Sequence, residues 1–207
     1  ARVIQSSVLR FFLAVAESVP QFLGTYLESL LVELAVLSKY LSLVPKEQSD
    51  GSLKSATAHL EGVLPSRIPS RLFLPAASRA VAKCSTPGEA CTMLSMMKVS
   101  VNESTPAEVS AQKSIILQSV TKAYDYEGSF NERSFLLETA NNVLVTLVLK
   151  LSEMQLRGLY ISLREWRGEF DKTNPEKLAK RRYAFWTVSA ALSKELRSIF
   201  LPCFSMV

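Results

Sequence analysis

The strongest helical pattern in the chain lies in residues 131–170, NERSFLLETANNVLVTLVLKLSEMQLRGLYISLREWRGEF. Apolar side chains recur there every three to four residues, the spacing that places them on one face of an α-helix. The segment 131–151 carries two such faces and 153–170 carries one. Because a helix that is apolar nearly all round has to be covered on both sides, the pattern predicts a helix packed between layers.

The same spacing continues in residues 176–200, which follow a polar loop at 171–175. Asn174 is expected to cap that helix, with Pro175 in its first turn. We expect Tyr183, Phe185 and Trp186 to lie in the core, with contact to a neighbouring chain as the alternative for Trp186, which is one step off the apolar stripe. The residues predicted to point inward in these three helices are Leu136, Leu137, Ala140, Val143, Leu144, Leu147, Val148, Leu151, Leu156, Leu159, Tyr160, Leu163, Trp166, Phe170, Leu178, Phe185, Val188, Leu192, Leu196 and Ile199.

Six further helices are predicted towards the N-terminus, most of them bounded by proline, glycine or a capping residue. Thr25 and Glu28 have the spacing of a capping box, and Gly62 with Pro65 is expected to end a helix that begins at Leu53. Pro75 is expected to kink the helix in which it lies. The predicted helices cover 3–17, 25–40, 53–63, a segment opening at Pro69, 87–101 and 106–123.

About nine helices and no convincing strand predict an all-α fold. Long amphipathic helices joined by short loops form hairpins, and a row of hairpins with two-faced helices is typical of an α-solenoid of HEAT-like type. No clean sequence repeat is visible. A closed helical bundle is the alternative, because nine helices can also wrap around one core.

The composition gives little support to an enzyme. His59 is the single histidine, so neither a Ser-His-Asp site nor a multi-histidine metal site can be built. The three cysteines, Cys84, Cys91 and Cys203, have no CxxC spacing and are expected to be reduced thiols. No glycine-rich phosphate loop and no uncharged apolar run of about 18 residues occurs. We therefore expect no catalytic site, cofactor, metal, small-molecule substrate or membrane span.

The positive charge is concentrated at one end of the chain. All of the net charge of +5 falls after residue 149, where 11 Lys and Arg stand against 6 Asp and Glu. Basic side chains on the edges of two adjacent helices can neutralise phosphates, although a solvated helix face with internal ion pairs is the plainer interpretation. The candidate contacts for RNA or an acidic partner are Arg157, Arg164, Arg167, Lys172, Lys177, Lys180, Arg181 and Arg182.

Three stretches resemble a known family. They are LKSATAHLEGVLPSRIPSRLFLPAASRAV (53–81), VLVTLVLKLSEMQLRGLYISLREW (143–166) and YAFWTVSAALSKELRSIFLPCF (183–204). Their order and spacing resemble the C-terminal domain of the large HEAT-repeat, U3 small nucleolar RNA-associated proteins of the small-subunit processome. The string from Lys150 to Glu153 and the tryptophan at 166 match that pattern, whereas Gly158 and Leu156 stand where the family usually has proline and phenylalanine.

The resemblance implies a single HEAT-like C-terminal domain over 1–207, with 53–204 as the family region and 1–43 as a preceding repeat of a much larger protein. It also implies a non-catalytic nucleolar scaffold that supports pre-rRNA processing and 18S rRNA maturation and is linked to RNA polymerase I transcription. The implied partners are other processome proteins, the 5′ external transcribed spacer of pre-rRNA and the U3 particle. The alternative is a helical-repeat nuclear transport receptor or adaptor, which the positive charge disfavours.

Overall fold

A computed structural model describes residues 2–44, 51–168 and 175–200. Within these ranges the chain forms nine α-helices and two short 3₁₀ helices, and it contains no strand. The α-helices are α1 (Arg2–Ser18), α2 (Leu27–Leu43), α3 (Gly51–Arg67), α4 (Ser70–Lys83), α5 (Pro87–Glu103), α6 (Pro106–Tyr124), α7 (Phe130–Val148), α8 (Glu153–Gly168) and α9 (Pro175–Leu196). The 3₁₀ helices are Pro20–Leu23 and Arg197–Phe200.

The central helices begin at strong local start signals. Thr105 and Ser129 each form a complete capping box, with Glu108 and Glu132 returning the hydrogen bond, and Thr86 caps α5. These bonds satisfy the amide groups that the first turn of a helix leaves unpaired. Since the connections between α3 and α8 are only two to five residues long, consecutive helices fold back on each other.

The helices alternate between two layers. Helices α1, α3, α5, α7 and α9 pack in sequence order to form one layer, and α2, α4, α6 and α8 form the other. The layers are joined chiefly by α2 and α4 against α5, α6 against α7, and α8 against α9. In the described part of the chain no substantial contact closes α1 onto α9. This stacking confirms the predicted helical solenoid and excludes the closed bundle.

The core runs between the two layers as one continuous apolar cluster. Both predicted faces of α7 contribute to this cluster, since Leu136 of one face and Leu144 of the other are both buried. The inward stripe of α8 is buried as predicted, from Leu156 to Trp166. Phe170 lies outside the described residues.

Two predicted helix signals near the N-terminus are wrong. Thr25 and Glu28 do not form a capping box, because α2 is capped at Tyr26 without a side-chain hydrogen bond. The Glu28 carboxylate instead contacts Arg79 and Lys83 of α4. These two hydrogen-bonded cations hold the pKa of Glu28 below its usual value.

Gly62 and Pro65 do not end α3, which continues to Arg67. Proline cannot donate the helical hydrogen bond, but so close to the end of the helix it removes only one bond of the last turns. The Ser66 hydroxyl donates to the Gly62 and Val63 carbonyls, and Pro65 itself is buried in the core. Packing therefore outweighs the local preference to stop.

The end of α9 also differs from the prediction. The helix stops at Leu196, and Arg197 has a positive φ of 49° that starts the 3₁₀ turn. This turn shifts the helical phase, so Ile199 is exposed and Phe200 is buried instead. The Phe200 ring packs edge-on against Tyr160 at 5.1 Å, which anchors the turn to α8.

The N-terminal end of the solenoid carries an apolar groove between α1 and α2. It has a volume of about 1230 Å³ and is lined by aromatic and aliphatic side chains, with Glu33 as its one charged lining residue among those described. Phe11, Phe22, Tyr26 and Tyr40 are all largely exposed along it. The two helices barely touch each other, which leaves the groove open.

Candidate nucleic-acid interface

The predicted basic residues lie on α8 and α9, two helices that pack against each other. Lys172 falls in the segment 169–174, outside the described residues. Asn174, the expected cap of α9, lies there too, while Pro175 opens the helix as predicted. The structure therefore brings seven of the eight candidates to one end of the solenoid, and their individual contacts decide what each can do.

Arg181 is the most strongly held of these residues. Its Nε and one terminal nitrogen donate to the two carboxylate oxygens of Asp125 at 2.9 and 2.6 Å. The guanidinium also lies 5.1 Å from the Trp166 ring centre and donates to the Trp166 carbonyl at 3.4 Å. Its side chain is only 13% exposed. Arg181 thus ties the start of α9 to the end of α6 and to α8.

Three further candidates form ion pairs. Lys177 lies 3.5 Å from Asp125, the same carboxylate that binds Arg181. Lys180 and Arg157 pair with Glu176 and Glu153, the residues one helical turn before them. Pairs of this kind at the surface contribute only about 0.3–0.5 kcal/mol and can exchange their partner for a phosphate. Of the four paired residues discussed so far, Arg181 is the least accessible to RNA.

The remaining three candidates differ in accessibility. The Arg167 guanidinium lies 4.5 Å from the ring centre of Phe185, so it covers part of the core between α8 and α9. Arg164 is half-buried. Arg182 is exposed and forms no ion pair within the described residues. RNA or acidic-partner binding by the whole set stays a prediction, with Arg182 the most accessible member.

The preferred core placement of two aromatic residues on α9 is wrong. Trp186 and Tyr183, expected in the core, are 50% and 58% exposed. Phe185 between them is fully buried. At about 100° per residue the stripe through Phe185, Val188 and Leu192 leaves Trp186 at its border and Tyr183 beyond it. A helical projection of residues 176–196 shows that these two rings lie off the apolar stripe. The presence of several aromatic residues close together in the sequence does not by itself show which of them are buried.

The string from Lys150 to Glu153, which follows α7, has a structural role. Lys150 donates from Nζ to the Asn102 and Ser104 carbonyls, both at 2.6 Å, and so caps the C-terminus of α5. Ser152 accepts from the Gln155 amide at 3.4 Å and its own amide donates to the Gln155 side chain at 3.1 Å. The bonds between Ser152 and Gln155 fix the start of α8 after the turn that follows α7.

Other reactive groups are isolated from one another. Burial raises the pKa of the Cys84 thiol to about 12, with Glu89 contributing, and burial raises that of Cys91 to about 11. Neither cysteine is disulfide-bonded, and Cys203 lies outside the described residues. His59 is exposed on α3. In the part of the chain that the structure describes, no group of histidine, cysteine or acidic residues has the arrangement of a metal site.

None of the described helices is both long and apolar enough to cross a bilayer.

Residues 108–207 match the family model of the BP28CT (NUC211) domain. This is a C-terminal domain found in nucleolar ribosome-biogenesis proteins. The matched region begins in the first turn of α6 and includes α7, α8, α9 and every candidate basic residue. No curated protein and no solved structure gives a significant match to the chain.

Proposed function

We propose that this chain is a non-catalytic scaffold of the small-subunit processome, acting in pre-rRNA processing and 18S rRNA maturation in the nucleolus. The observation that carries the proposal is the BP28CT match over residues 108–207, a domain of nucleolar ribosome-biogenesis proteins. The order of the three stretches described above adds to it, because two of them fall within the matched region. The link to RNA polymerase I transcription belongs to the same proposal.

The architecture supports a scaffold by its shape and chemistry. A two-layered stack of helices offers long outer surfaces on which several partners can be held in fixed positions. Several acidic groups of the described region serve in helix caps and ion pairs, as Glu108, Glu132 and Asp125 illustrate. Binding energy on such a surface is spread over many contacts rather than concentrated in a cleft. Other processome proteins, the 5′ external transcribed spacer and the U3 particle are the proposed partners.

The test is co-purification of the tagged chain from nucleolar extract. We expect processome proteins and pre-rRNA carrying the 5′ external transcribed spacer to be recovered, and depletion of the protein to accumulate 18S precursors. Tagged protein that is folded but recovers neither component contradicts the proposal. Recovery of cargo bearing basic import signals would instead favour a transport adaptor.

A matched pair of variants tests the basic end by titration with a single-stranded RNA at several salt concentrations. Replacing Arg157, Lys180 and Arg182 by Ala removes accessible charge while leaving the Asp125 contacts of Arg181 intact. Log affinity falls as log salt concentration rises, and each lost contact with single-stranded RNA should make that fall less steep by about 0.7. The control replaces Lys54, Arg67 and Lys98, three exposed cations on α3 and α5. Equal slopes for the two variants would mean that the basic end is only a solvated surface.

A further inference from the structure

The outer face of α9 brings aromatic and basic side chains together. At about 100° per residue, Arg182, Tyr183, Trp186 and Lys194 fall within an arc of about 120° on this helix. Ala190 lies between them and leaves the middle of the arc flat. These four residues are called the α9 outer face below. It points away from the buried stripe of the same helix.

Two cations of the α9 outer face lack an acidic partner among the described residues. Arg182 and Lys194 are exposed, and neither forms an ion pair within the described residues. Glu176 is the carboxylate on the same side of the described helix, and Lys180 holds it at 2.6 Å. The face thus presents two cations with two exposed aromatic rings between them along the helix.

The Trp186 ring is held by its neighbours before any ligand arrives. It packs against Phe185 with ring centres 5.4 Å apart and planes at 74°. Phe185 is itself fixed by Tyr160, 5.5 Å away, and by the Arg167 guanidinium. Binding on a ring that is already oriented costs less conformational entropy than binding on a mobile one.

We propose that the α9 outer face binds single-stranded RNA, with bases stacking on Trp186 and Tyr183 and phosphates contacting Arg182 and Lys194. This inference rests on the proposed function, for which it supplies a direct RNA contact. Stacking platforms flanked by cations are the chemistry that binds single strands without reading their sequence. Along the helix, Arg182 and Lys194 are about 18 Å apart, which leaves room for several nucleotides between the two phosphate contacts.

The shape of the face favours a single strand over other partners. In a duplex the bases are stacked on each other and their faces are inaccessible to side chains. An acidic protein could satisfy the cations, but protein hot spots require a pocket that excludes water around the aromatic anchor. Trp186 and Tyr183 are 50% and 58% exposed, so neither ring is enclosed in such a pocket. A nucleic-acid base does not need such a pocket, because it binds by stacking its flat face on the face of an exposed aromatic ring.

The experiment measures binding of a fluorescein-labelled oligouridylate to the 207-residue chain by anisotropy. Trp186→Ala should weaken binding roughly tenfold, the scale of one lost base–aromatic stack. Trp186→Phe should retain most of the affinity, since phenylalanine also stacks. Tyr183→Ala should also weaken binding, and Tyr40→Ala on α2 is its matched control, because the two tyrosines are both 58% exposed. Circular dichroism of each variant confirms that the helices are intact.

Tryptophan fluorescence supplies a second measurement that a structural defect would not reproduce. The chain has two tryptophans, and Trp166 is buried. Unlabelled oligouridylate should therefore quench the emission of the wild type, and Trp186→Phe should abolish most of that quenching. Unchanged affinity in Trp186→Ala overturns the inference, as does tighter binding of polyglutamate or of an RNA duplex. If the wild-type chain does not bind oligouridylate but still co-purifies with processome proteins, the α9 assignment fails and the proposed scaffold function stands.

Discussion

Asp125 determines what the basic residues at the start of α9 do. Its carboxylate binds both Arg181 and Lys177, and its side chain is 20% exposed. Cations in the first turns of a helix oppose the helix dipole, so their placement needs a compensating partner. Asp125 is that partner, at the C-terminal end of α6.

We expect Asp125→Ala to destabilise the protein by about 2 kcal/mol, because Arg181 loses a bidentate partner in a mostly buried position. Urea unfolding followed by circular dichroism measures the change. Glu153→Ala removes the exposed partner of Arg157 and serves as the control, with an expected loss of about 0.5 kcal/mol or less. Similar losses in both variants would contradict the assigned role of Asp125.

Two glutamates should respond to pH in opposite directions. Burial of Glu89 favours its protonated form, but the Ser85 amide, the Thr86 hydroxyl and Lys39 outweigh burial and lower its pKa. Burial raises the pKa of Glu61, against a hydrogen bond from Ser38, and one of its buried oxygens has no hydrogen-bond partner within the described residues. Glu89 therefore favours folding when it is charged, and Glu61 opposes it.

The sign follows from proton linkage. The folded protein binds a proton at Glu89 more weakly than the unfolded chain does. The charged Glu89 carboxylate therefore stabilises the folded state above about pH 5, and this stabilisation is lost as the pH falls through the lowered folded-state pKa. For Glu61 the folded protein binds the proton more tightly, so its cost is present above the raised folded-state pKa and disappears in acid.

We expect Glu89→Gln to destabilise and Glu61→Gln to stabilise the protein at pH 7, each by about 1 kcal/mol. The measurement is the free energy of unfolding between pH 3 and pH 7. Both variants should converge on the wild type at the acid end. A Glu61→Gln variant that is less stable than the wild type at pH 7 would show that the charged form is needed.

The contact between Arg181 and Asp125 could not be predicted from the sequence. Positive charge at the end of the chain was visible, but Asp125 lies 56 residues before Arg181. No local rule connects positions so far apart when the chain contains no repeat that would predict their packing. The seven described candidates were placed on the correct helices, whereas their burial depended on tertiary contacts.

At the scale of the helices, periodicity predicted most of the structure, whereas the glycine and proline taken to end α3 gave the wrong boundary. The capping boxes of α6 and α7 and the two-faced burial of α7 follow from local sequence. Pro65 and the end of α9 do not, because a core contact decides whether a helix passes a proline or stops at Leu196. Helix boundaries are therefore the least predictable part of this fold.

Two glycines should respond differently to the same substitution. A Cβ at Gly158, inside α8, would meet nothing within 4 Å, whereas at Gly128 it would lie 2.8 Å from Cγ of Pro87. Gly158→Ala should stabilise the protein by about 0.5–1 kcal/mol, because alanine loses less backbone entropy on entering a helix. Gly128→Ala should destabilise it by about 1 kcal/mol or more, since the α6–α7 connection has to shift away from α5. Thermal melts of both variants check the signs, and stabilisation by Gly128→Ala would mean that the connection relaxes freely.

At the scale of the whole molecule, the two ends of the solenoid have different chemistry. The α1–α2 end is an apolar groove with Glu33 as its charged lining residue among those described, and the α9 end carries basic and aromatic side chains. A contiguous exposed apolar groove is a favourable place for association, because covering it removes apolar surface from water. Because the helices stack in one direction, each inner helix is covered on two sides and the end helices on one side by the part of the chain that the structure describes.

We therefore expect the isolated chain to associate through its α1–α2 end at high concentration. Phe22→Glu with Tyr26→Glu should shift sedimentation towards the monomer and reduce the fluorescence of a bound hydrophobic dye, because the added carboxylates lie beside Glu33 in the same groove. Phe130→Glu is the matched control, since Phe130 is 82% exposed at the start of α7 and lies outside the groove. A chain that remains monomeric and binds no dye at any concentration would show that the groove closes in solution. Equal effects of the control and the double variant would place the association elsewhere on the surface.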